Sequence, residues 1–412
     1  MSKSSDPRNF FESDAQQATR ERRDAKSSNK YGNPVALKSK ILAAIADPRS
    51  SSPPAIFVAE SAGSVRHVKL GDEPDTKTVY RGPSAPVTCV AVGGAGGSTL
   101  FAGSWDKSIW SWDLATGQQG RRYTGHTDFV KTVVCVKLSS GSGSRDILIS
   151  GGADKRIIVW DVATGKELHV LQDRVTKMLA VQHLAVDPAR TTPDEVHLAS
   201  ASSDPHVRRW RVREASWEQV VDEVPDPAAP AGSSDAVTER RTLLEHETGV
   251  YRLSFAPGAD DGESLDLWTA SGDGTAKCLS PQQRGLAVVD SFNHGDHVRA
   301  LAVVGSWVVT AGRDEDLKYW DRASGELHCA LEGHYDEVTD LLALADSRLC
   351  SVGIDGTVRT WPLQRAQLDA LITEQREAAE GKVKEPEAAA APQEGLLSIE
   401  EEAELAALMD DD

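Results

Sequence analysis

Residues 146–161 read Asp-Ile-Leu-Ile-Ser-Gly-Gly-Ala-Asp-Lys-Arg-Ile-Ile-Val-Trp-Asp, and this stretch decides the fold. Residues 147–150 are apolar and β-prone, residues 151–155 are typical of a tight turn, and residues 156–160 read as a returning strand. The stretch therefore predicts two short antiparallel strands. Similar stretches recur along the chain, so the fold has to be inferred from the repeat as a whole.

The aspartate in this turn recurs at a regular interval. The turn aspartates are Asp106, Asp154, Asp204, Asp273, Asp314 and Asp355, at intervals of 48, 50, 69, 41 and 41 residues. Subtracting an insertion of roughly 26 residues shortens the longest interval to about 43. The residues six positions after these aspartates are Trp112, Trp160, Trp210, Leu279, Trp320 and Trp361. A period of about 40 to 50 residues with short strands in each unit predicts the blades of a β-propeller.

Counting the units gives an all-β, seven-bladed propeller, because a degenerate first unit precedes the six that carry the turn aspartate. The predicted organisation is a polar extension at 1–30, a propeller at 31–363 with an acidic loop insertion at 214–239, and an acidic tail at 364–412 with candidate helices at 364–379 and 396–409. Residues 13–27 predict a short charged helix. Because this helix has no apolar stripe, we expect it to be disordered or to be ordered only by a partner.

Composition excludes several classes of function. The net charge of −18 is concentrated in the tail, where residues 365–412 contain fourteen acidic and four basic residues. An acidic chain without a basic patch argues against direct nucleic-acid binding. No apolar stretch approaches the length of a membrane span, and the five cysteines lack metal-site spacing. We expect an intracellular protein, nuclear or cytoplasmic, with buried thiols and no cofactor, metal or small-molecule substrate.

These repeats resemble the WD-repeat family of β-propellers. The resemblance covers about residues 38–363, and its motifs are the Trp-Asp pairs at 112–113, 160–161 and 320–321. In two units the Trp is kept but another residue replaces the Asp, as in Trp210-Arg211 and Trp361-Pro362. Histidines that follow Gly or a relic of it stand at His126, His246, His294 and His334, each four residues before a valine.

The resemblance implies a buried His–Ser/Thr–Asp–Trp hydrogen-bond chain in each well-formed blade. The implied chains are His126, Ser150, Asp154 and Trp160 in blade 3, His294, Thr310, Asp314 and Trp320 in blade 6, and His334, Ser351, Asp355 and Trp361 in blade 7. The chain of blade 5 is broken at Leu279, and blades 2 and 4 lack the histidine. Such sets match the composition of catalytic triads, but their recurrence with a Trp donor favours a structural role.

Ring closure requires a fourth strand for the last blade. The residues after Trp361 read as helical, so the segment 30–36 is the predicted donor, although Pro34 weakens it as a strand.

Function in a propeller is expected in the loops at the ends of its channel. The residue before each turn aspartate and the residues after each histidine point to one face, and several are of types enriched in interfaces. The predicted partner-binding residues are Trp105, Phe129, His297, Arg313, Tyr335, Glu337 and Ile354, with Leu405 and Leu408 on the amphipathic segment of the tail.

The sequence favours a non-enzymatic interaction scaffold, a subunit of a multiprotein complex that acts in ribosome assembly, chromatin or RNA processing. The alternative is a substrate receptor of a ubiquitin ligase, which the short N-terminal extension and the Ala residues at 115, 163 and 323 disfavour. An enzyme is disfavoured because the chain has no phosphate-binding loop, metal cluster or separate carboxylate pair. A G-protein β-like partner would need an N-terminal heptad helix that residues 13–27 do not provide.

Overall fold

The computed structural model of the chain describes residues 14–140, 143–225, 237–258, 264–282 and 285–381. The unit Met1–Gln364 contains a seven-bladed β-propeller, as predicted. The innermost strand of each blade contacts the innermost strands of both neighbouring blades, and the contact between the first and last blades closes the ring. The second unit, Arg365–Asp412, contains the helix α2 (Arg365–Ala379), in the region of the predicted helix at 364–379.

The elements that precede the first blade are α1 (Asp14–Ser27) and β1 (Val35–Ala36). Blades 1 to 3 comprise β2 (Ile41–Ser51), β3 (Pro54–Glu60), β4 (Ser64–Lys69), β5 (Val79–Arg81), β6 (Val87–Gly93), β7 (Thr99–Ser104), β8 (Ser108–Asp113), β9 (Gln119–Thr124), β10 (Val130–Ser140), β11 (Gly143–Gly152), β12 (Ile157–Asp161) and β13 (Glu167–Leu171). Blade 4 comprises β14 (Val181–Val186), β15 (Val196–Ser202), β16 (His206–Val212), β17 (Trp217–Gln219) and, beyond the hairpin of β18 (Asp222–Pro225) and β19 (Val237–Arg240), β20 (Thr242–Leu244).

Blades 5 to 7 comprise β21 (Val250–Pro257), β22 (Leu265–Ser271), β23 (Thr275–Gln282), β24 (Gly285–Asn293), β25 (Val298–Val304), β26 (Trp307–Gly312), β27 (Leu317–Asp321), β28 (Leu327–Leu331), β29 (Val338–Ala343), β30 (Arg348–Gly353) and β31 (Thr357–Pro362). Within each blade we call the strands a to d, from the channel outward. Every pairing within a blade is antiparallel, which places the start of strand a and the turn between strands b and c at the same edge.

The turn between strands b and c explains why an aspartate recurs there. The side chain of Asp355 accepts a hydrogen bond from the amide of Thr357 at 2.8 Å, and Asp273 accepts one from Thr275 at 2.9 Å. This local bond replaces a backbone partner inside the turn. Except in blade 4, where Pro205 follows Asp204, the residue after the aspartate has positive φ, which Gly356 adopts without strain, whereas Lys155 adopts it as a non-glycine residue.

The apolar core lies between neighbouring blades. Ile149 and Leu171 of blade 3, for example, belong to one buried cluster with Val196 and Trp210 of blade 4. Because strands alternate their side chains, one face of each blade packs on the preceding blade and the other packs on the next. The stability of each blade therefore depends on both of its neighbours.

Strand β1 completes the last blade, which confirms the predicted clasp. Val35 pairs with Val358 and Ala36 with Thr357, and the amide of Leu37 donates to the carbonyl of Gly356 at 2.8 Å. The guanidinium of Arg359, buried in this blade, donates to Asn29 Oδ1 at 2.8 Å. The N-terminal segment thus supplies both the missing strand and an acceptor for a buried cation.

Helix α1 differs from the expectation that it lacks structure without a partner. Arg23 Nη2 lies 2.9 Å from Asp336 Oδ1, and Lys26 Nζ lies 3.3 Å from the carboxylate of Glu315. Glu315 is buried and needs a compensating cation, so the helix docks through charge. Its lack of an apolar stripe is consistent with this mode of attachment.

The insertion at 214–239 is also more structured than predicted where it is described. Its first residues form β17, the fourth strand of blade 4, and its ends pair as β18 and β19. The predicted helix at 396–409, with Leu405 and Leu408, lies outside the described residues. Among the helices that the structure describes, none is both long enough and apolar enough to cross a bilayer.

Candidate partner-binding face

The residues implied as hydrogen-bond chains lie within bonding distance of one another. In blade 3, His126 Nδ1 is 2.9 Å from Asp154 Oδ2 and His126 Nε2 is 2.8 Å from Ser150 Oγ. Trp160 Nε1 donates to the same Ser150 Oγ at 2.8 Å. Histidine, hydroxyl and indole are all buried, so each polar group in the chain has its partner inside the blade.

Blade 7 repeats this arrangement, with His334 Nδ1 2.9 Å from Asp355 Oδ2 and Trp361 Nε1 2.8 Å from Ser351 Oγ. Burial favours the neutral acid, but the hydrogen bonds from His334 and Thr357 outweigh it and hold the pKa of Asp355 below its ordinary value.

Blade 6 uses the same residue types with the imidazole turned over. His294 Nδ1 is 2.8 Å from Thr310 Oγ1, and its Nε2 is 2.9 Å from Asp314 Oδ1. Trp320 Nε1 donates to Thr310 Oγ1 at 2.8 Å. The imidazole spans the same two partners in either orientation, so its bridging role does not require one particular ring nitrogen.

Blade 4, which lacks the histidine, has a buried ion pair at its turn aspartate. Arg208, with no exposed surface, donates from Nε to Asp173 Oδ2 at 2.8 Å and from Nη1 to Asp204 Oδ1 at 2.9 Å. Trp210 Nε1 still donates to Ser200 Oγ at 2.8 Å. The guanidinium thus joins the turn aspartate of blade 4 to Asp173, whereas the imidazole of blades 3, 6 and 7 joins the turn aspartate to the hydroxyl that accepts the indole.

Seven β-bulges, one in each blade, lie at the start of the inner strands, at the same edge as the turns between strands b and c. In every blade the register of strand a slips by one residue immediately after the buried Val or Ile that begins it. A bulge leaves the extra residue unpaired and re-aims its side chain. The seven bulge residues line the central channel and are Leu42, Thr88, Lys131, Gln182, Tyr251, Arg299 and Thr339. We call this edge of the propeller the bulge face.

The channel at the bulge face is a cavity of about 550 Å³. Its charged groups are mostly paired. Arg252 Nη2 lies 2.9 Å from Asp340 Oδ1, and Arg299 Nε lies 3.1 Å from Glu337 Oε1. The Arg299 guanidinium also lies over the ring of Tyr251, 4.4 Å from its centroid. Polar and aromatic groups therefore converge on the cavity, as they do in binding sites.

Burial controls the ionisation of the groups deeper in the channel. It lowers the pKa of His183 well below its ordinary value, and the charge of Arg252 acts in the same direction. Burial also raises the pKa of Asp340, although Arg252 and the amide of Ala44 oppose that shift. His183 is therefore neutral at physiological pH.

Four of the predicted partner-binding residues come together at this mouth. Trp105, Glu337 and Ile354 line the cavity. Trp105 is 41% exposed and stacks on Phe129, with ring centroids 4.9 Å apart and an angle of 15° between the planes. An exposed, stacked indole presents a large rigid apolar surface next to the cavity.

The other three described residues, His297, Arg313 and Tyr335, lie at the bulge face and already make contacts within it. Arg313, with a side chain 59% exposed, pairs with Asp296 at 2.6 Å, and its amide donates to the carbonyl of His297 at 3.2 Å. The hydroxyl of Tyr335 donates to the carbonyl of Asp355 at 2.8 Å. These contacts brace the loops, and of the three only Arg313 has a largely exposed side chain.

The bulge residues were not among the partner-binding residues that the sequence predicted. The available signal was positional, because each directly follows the periodic Val or Ile of its unit. Val175 and Leu179, which are 70% and 40% exposed in the loop before blade 4, were also overlooked. Nothing in the residue type alone separates them from core positions.

Comparison with known proteins agrees with this geometry. The family model described as "WD domain, G-beta repeat" matches residues 75–113, 117–161 and 325–362. Each matched segment combines the outer strand of one blade with strands a to c of the next. The chain therefore carries WD repeats, which supports a protein of the WD-repeat family.

Among its relatives, an uncharacterised WD repeat-containing protein of Schizosaccharomyces pombe is 29% identical over 98% of this chain and 99% of its own length. Nuclear distribution protein PAC1 of Coccidioides posadasii is 28% identical over 68% of this chain and 58% of its own length. The WD40 β-propeller domain of Doa1 superposes with a TM-score of 0.58 at 17% identity, covering 81% of this chain and 96% of that domain, which shows the fold alone. WD-repeat propellers are generally protein-interaction scaffolds without catalytic activity.

Proposed function

We propose that this WD-repeat protein is a non-enzymatic scaffold that binds a partner protein across its bulge face. The observation that carries the proposal is the exposed Trp105–Phe129 stack at the mouth of the channel. Trp and Arg are enriched among residues that dominate binding energy, and Arg313 lies exposed on the same face. The remaining contacts of that face hold its loops in one conformation, which lowers the entropic cost of association.

A scaffold role is supported by how the candidate catalytic groups are used. Ser150, the hydroxyl that would act as a nucleophile, already accepts the indole N–H of Trp160 and is fully buried. A nucleophile needs access to substrate and a free base. Here burial prevents access to the hydroxyl, and bonds within the blade occupy the histidine that would act as the base. In the part of the chain that the structure describes, no cluster of His, Cys, Asp and Glu is arranged to hold a metal.

The proposed setting is a multiprotein complex inside the cell, in the nucleus or the cytoplasm. All five cysteines are unpaired, and four of them are buried. Burial raises the pKa of Cys89 to about 12, which leaves its thiol protonated and unreactive. Free buried thiols are typical of proteins from reducing compartments. Complexes of ribosome assembly, chromatin and RNA processing all fit this description.

The proposal is tested with the double variant Trp105→Ala/Arg313→Ala. Proteins that cross-link to the chain in its native cells are captured and identified by mass spectrometry, and each is quantified against the parent chain. The matched control is Leu327→Ala, because Leu327 is 48% exposed on the outer strand of blade 6, away from the channel. We expect the double variant to lose specific partners and the control to keep them. Retention of every partner by the double variant would refute the proposed surface.

A further inference from the structure

One cation at the mouth of the channel has no partner. Lys131 is the bulge residue of blade 3, lies half-buried, and lines the cavity. Among the residues that the structure describes, its side chain makes no hydrogen bond or ion pair, whereas Arg252 and Arg299, which line the same cavity, each hold a carboxylate. The cavity therefore carries one positive charge in excess, although the chain as a whole is strongly acidic.

The environment of Lys131 disfavours its charge. Burial lowers its pKa, and the guanidinium of Arg299 lowers it further, while the carboxylate of Asp128 opposes these effects more weakly. Blade 3 and blade 6 lie on opposite sides of the seven-bladed ring, so Lys131 and Arg299 act on each other across the channel. Both cations line the same cavity, so both attract an anion that is held between them.

An apolar wall stands beside these cations. Trp105 lines the same cavity and stacks on Phe129, which is two residues before Lys131. A ligand that places a negative group between the cations therefore places its neighbouring atoms against the indole. This combination of a charged socket and an aromatic platform fits an acidic side chain with an apolar neighbour in a polypeptide.

We propose that Lys131 and Arg299, together with the Trp105 platform, form a socket for an Asp or Glu side chain of a partner protein, with an apolar neighbouring residue on Trp105. The inference rests on the proposed scaffold function and specifies the chemistry of its partner. A carboxylate in the socket supplies the partner that Lys131 lacks and can also receive a hydrogen bond from Arg299. The gain is large because the site is already partly desolvated.

The test uses the full chain as bait for a phage-displayed random peptide library. We expect the parent chain to enrich peptides with Asp or Glu at one fixed position beside an apolar residue. Lys131→Glu should lose these peptides, with affinity for individual synthetic peptides falling about tenfold or more. Lys166→Glu, which reverses an exposed charge in the turn between strands c and d of the same blade, should bind them like the parent. Circular dichroism melts establish that each variant is folded.

A charge swap makes the result specific to the socket. Replacing the selected acid of the peptide by Lys should abolish binding to the parent and restore it to Lys131→Glu, which a general loss of structure cannot do. Enriched peptides without a fixed acid, or equal binding to Lys131→Glu, would overturn the socket. If the peptides enriched in that case still lose binding to Trp105→Ala, the socket is refuted but the proposed scaffold function is retained. Self-association of the parent that Lys131→Glu abolishes would place a second copy there and would also overturn the proposal.

Discussion

The hydrogen-bond chains between strands b and c and the ring of bulge residues both recur at equivalent positions around the propeller, yet they differ in how they vary. Blades 3, 6 and 7 use nearly the same His, Ser/Thr, Asp and Trp geometry, with donor–acceptor distances of 2.6 to 2.9 Å along the chains. The bulge ring carries different chemistry almost everywhere, from Leu42 to Arg299. Where the hydrogen-bond chain is complete its residue types are therefore kept, whereas the residue at the bulge position changes from blade to blade.

The difference follows from where the polar groups find their partners. A buried hydroxyl or imidazole must be satisfied within the blade, so each repeat faces the same physical demand. A bulge residue reaches into a cavity, where solvent or a ligand can satisfy it. Repetition thus identifies what the fold requires, and divergence at the same position identifies surface that is available for recognition.

The largest expected effect lies in blade 4, where the repeat is maintained by different chemistry. Arg208→Met should lower the free energy of unfolding by about 3–5 kcal/mol, because Asp173 and Asp204 lose their buried cation. The measurement is the urea midpoint by circular dichroism, with Arg313→Met as a control on an exposed ion pair. A loss no greater than that of the control would show that the buried guanidinium does not stabilise blade 4 through its two aspartates.

A smaller loss is expected where one hydroxyl serves two partners. Ser351→Ala removes the acceptor of Trp361 and the partner of His334, and should cost about 1–3 kcal/mol. Thr269→Val in blade 5 removes the hydroxyl partner of His246 but no indole bond, so its cost should be lower. Equal costs in urea denaturation would contradict a cooperative chain that ends on the indole.

Acid should lower the free energy of unfolding of the propeller through the titration of His183. This loss should be smaller than the losses that the substitutions above cause. Its folded pKa lies below the ordinary value near 6.5, so below that pH the unfolded chain binds a proton that the folded chain refuses. Stability is therefore complete above the unfolded pKa and declines as the pH falls below it. Melting temperatures from pH 7.5 to 5 should fall less steeply in His183→Asn. An unchanged slope would show that His183 is not protonated on unfolding in this range.

The smallest effect on stability is expected at the bulge ring itself. Lys131→Met should change the free energy of unfolding by no more than about 0.5 kcal/mol, because no described partner is lost and the apolar stem is kept. The same urea titration measures it. A loss as large as that of Ser351→Ala would place Lys131 among the residues that hold the fold together.

Much of the propeller could be predicted from the sequence because its demands are local and repeated. The turn aspartate accepts a hydrogen bond within its own turn, and the Trp six residues later donates to a hydroxyl on strand b of its own blade. Both residues therefore recur periodically in the sequence. The clasp of β1 on β31 was predicted from the shortage of one strand. These features depend on contacts within one blade and on the number of strands that a closed ring requires.

The rest depends on contacts between distant parts of the chain. Arg208 pairs with Asp173, 35 residues earlier in the sequence, and α1 docks on Glu315, about 290 residues away, so neither contact leaves a local pattern. The bulge residues differ in type from blade to blade, so a periodic residue pattern cannot identify them. Only the shift in strand register shows that the position after each Val or Ile is distinct. The candidate site was therefore predicted at Trp105 and Phe129 and missed at Lys131 and Arg299.

The most direct test of the central claim measures stability and binding on the same variant. For Trp105→Ala, the urea midpoint and the recovery of cross-linked partners are determined beside the parent and Leu327→Ala. We expect the midpoint of Trp105→Ala to match that of Leu327→Ala and its partners to be lost. Full recovery of partners, or a fall in midpoint as large as that of Ser351→Ala, would contradict the assignment of the bulge face to recognition.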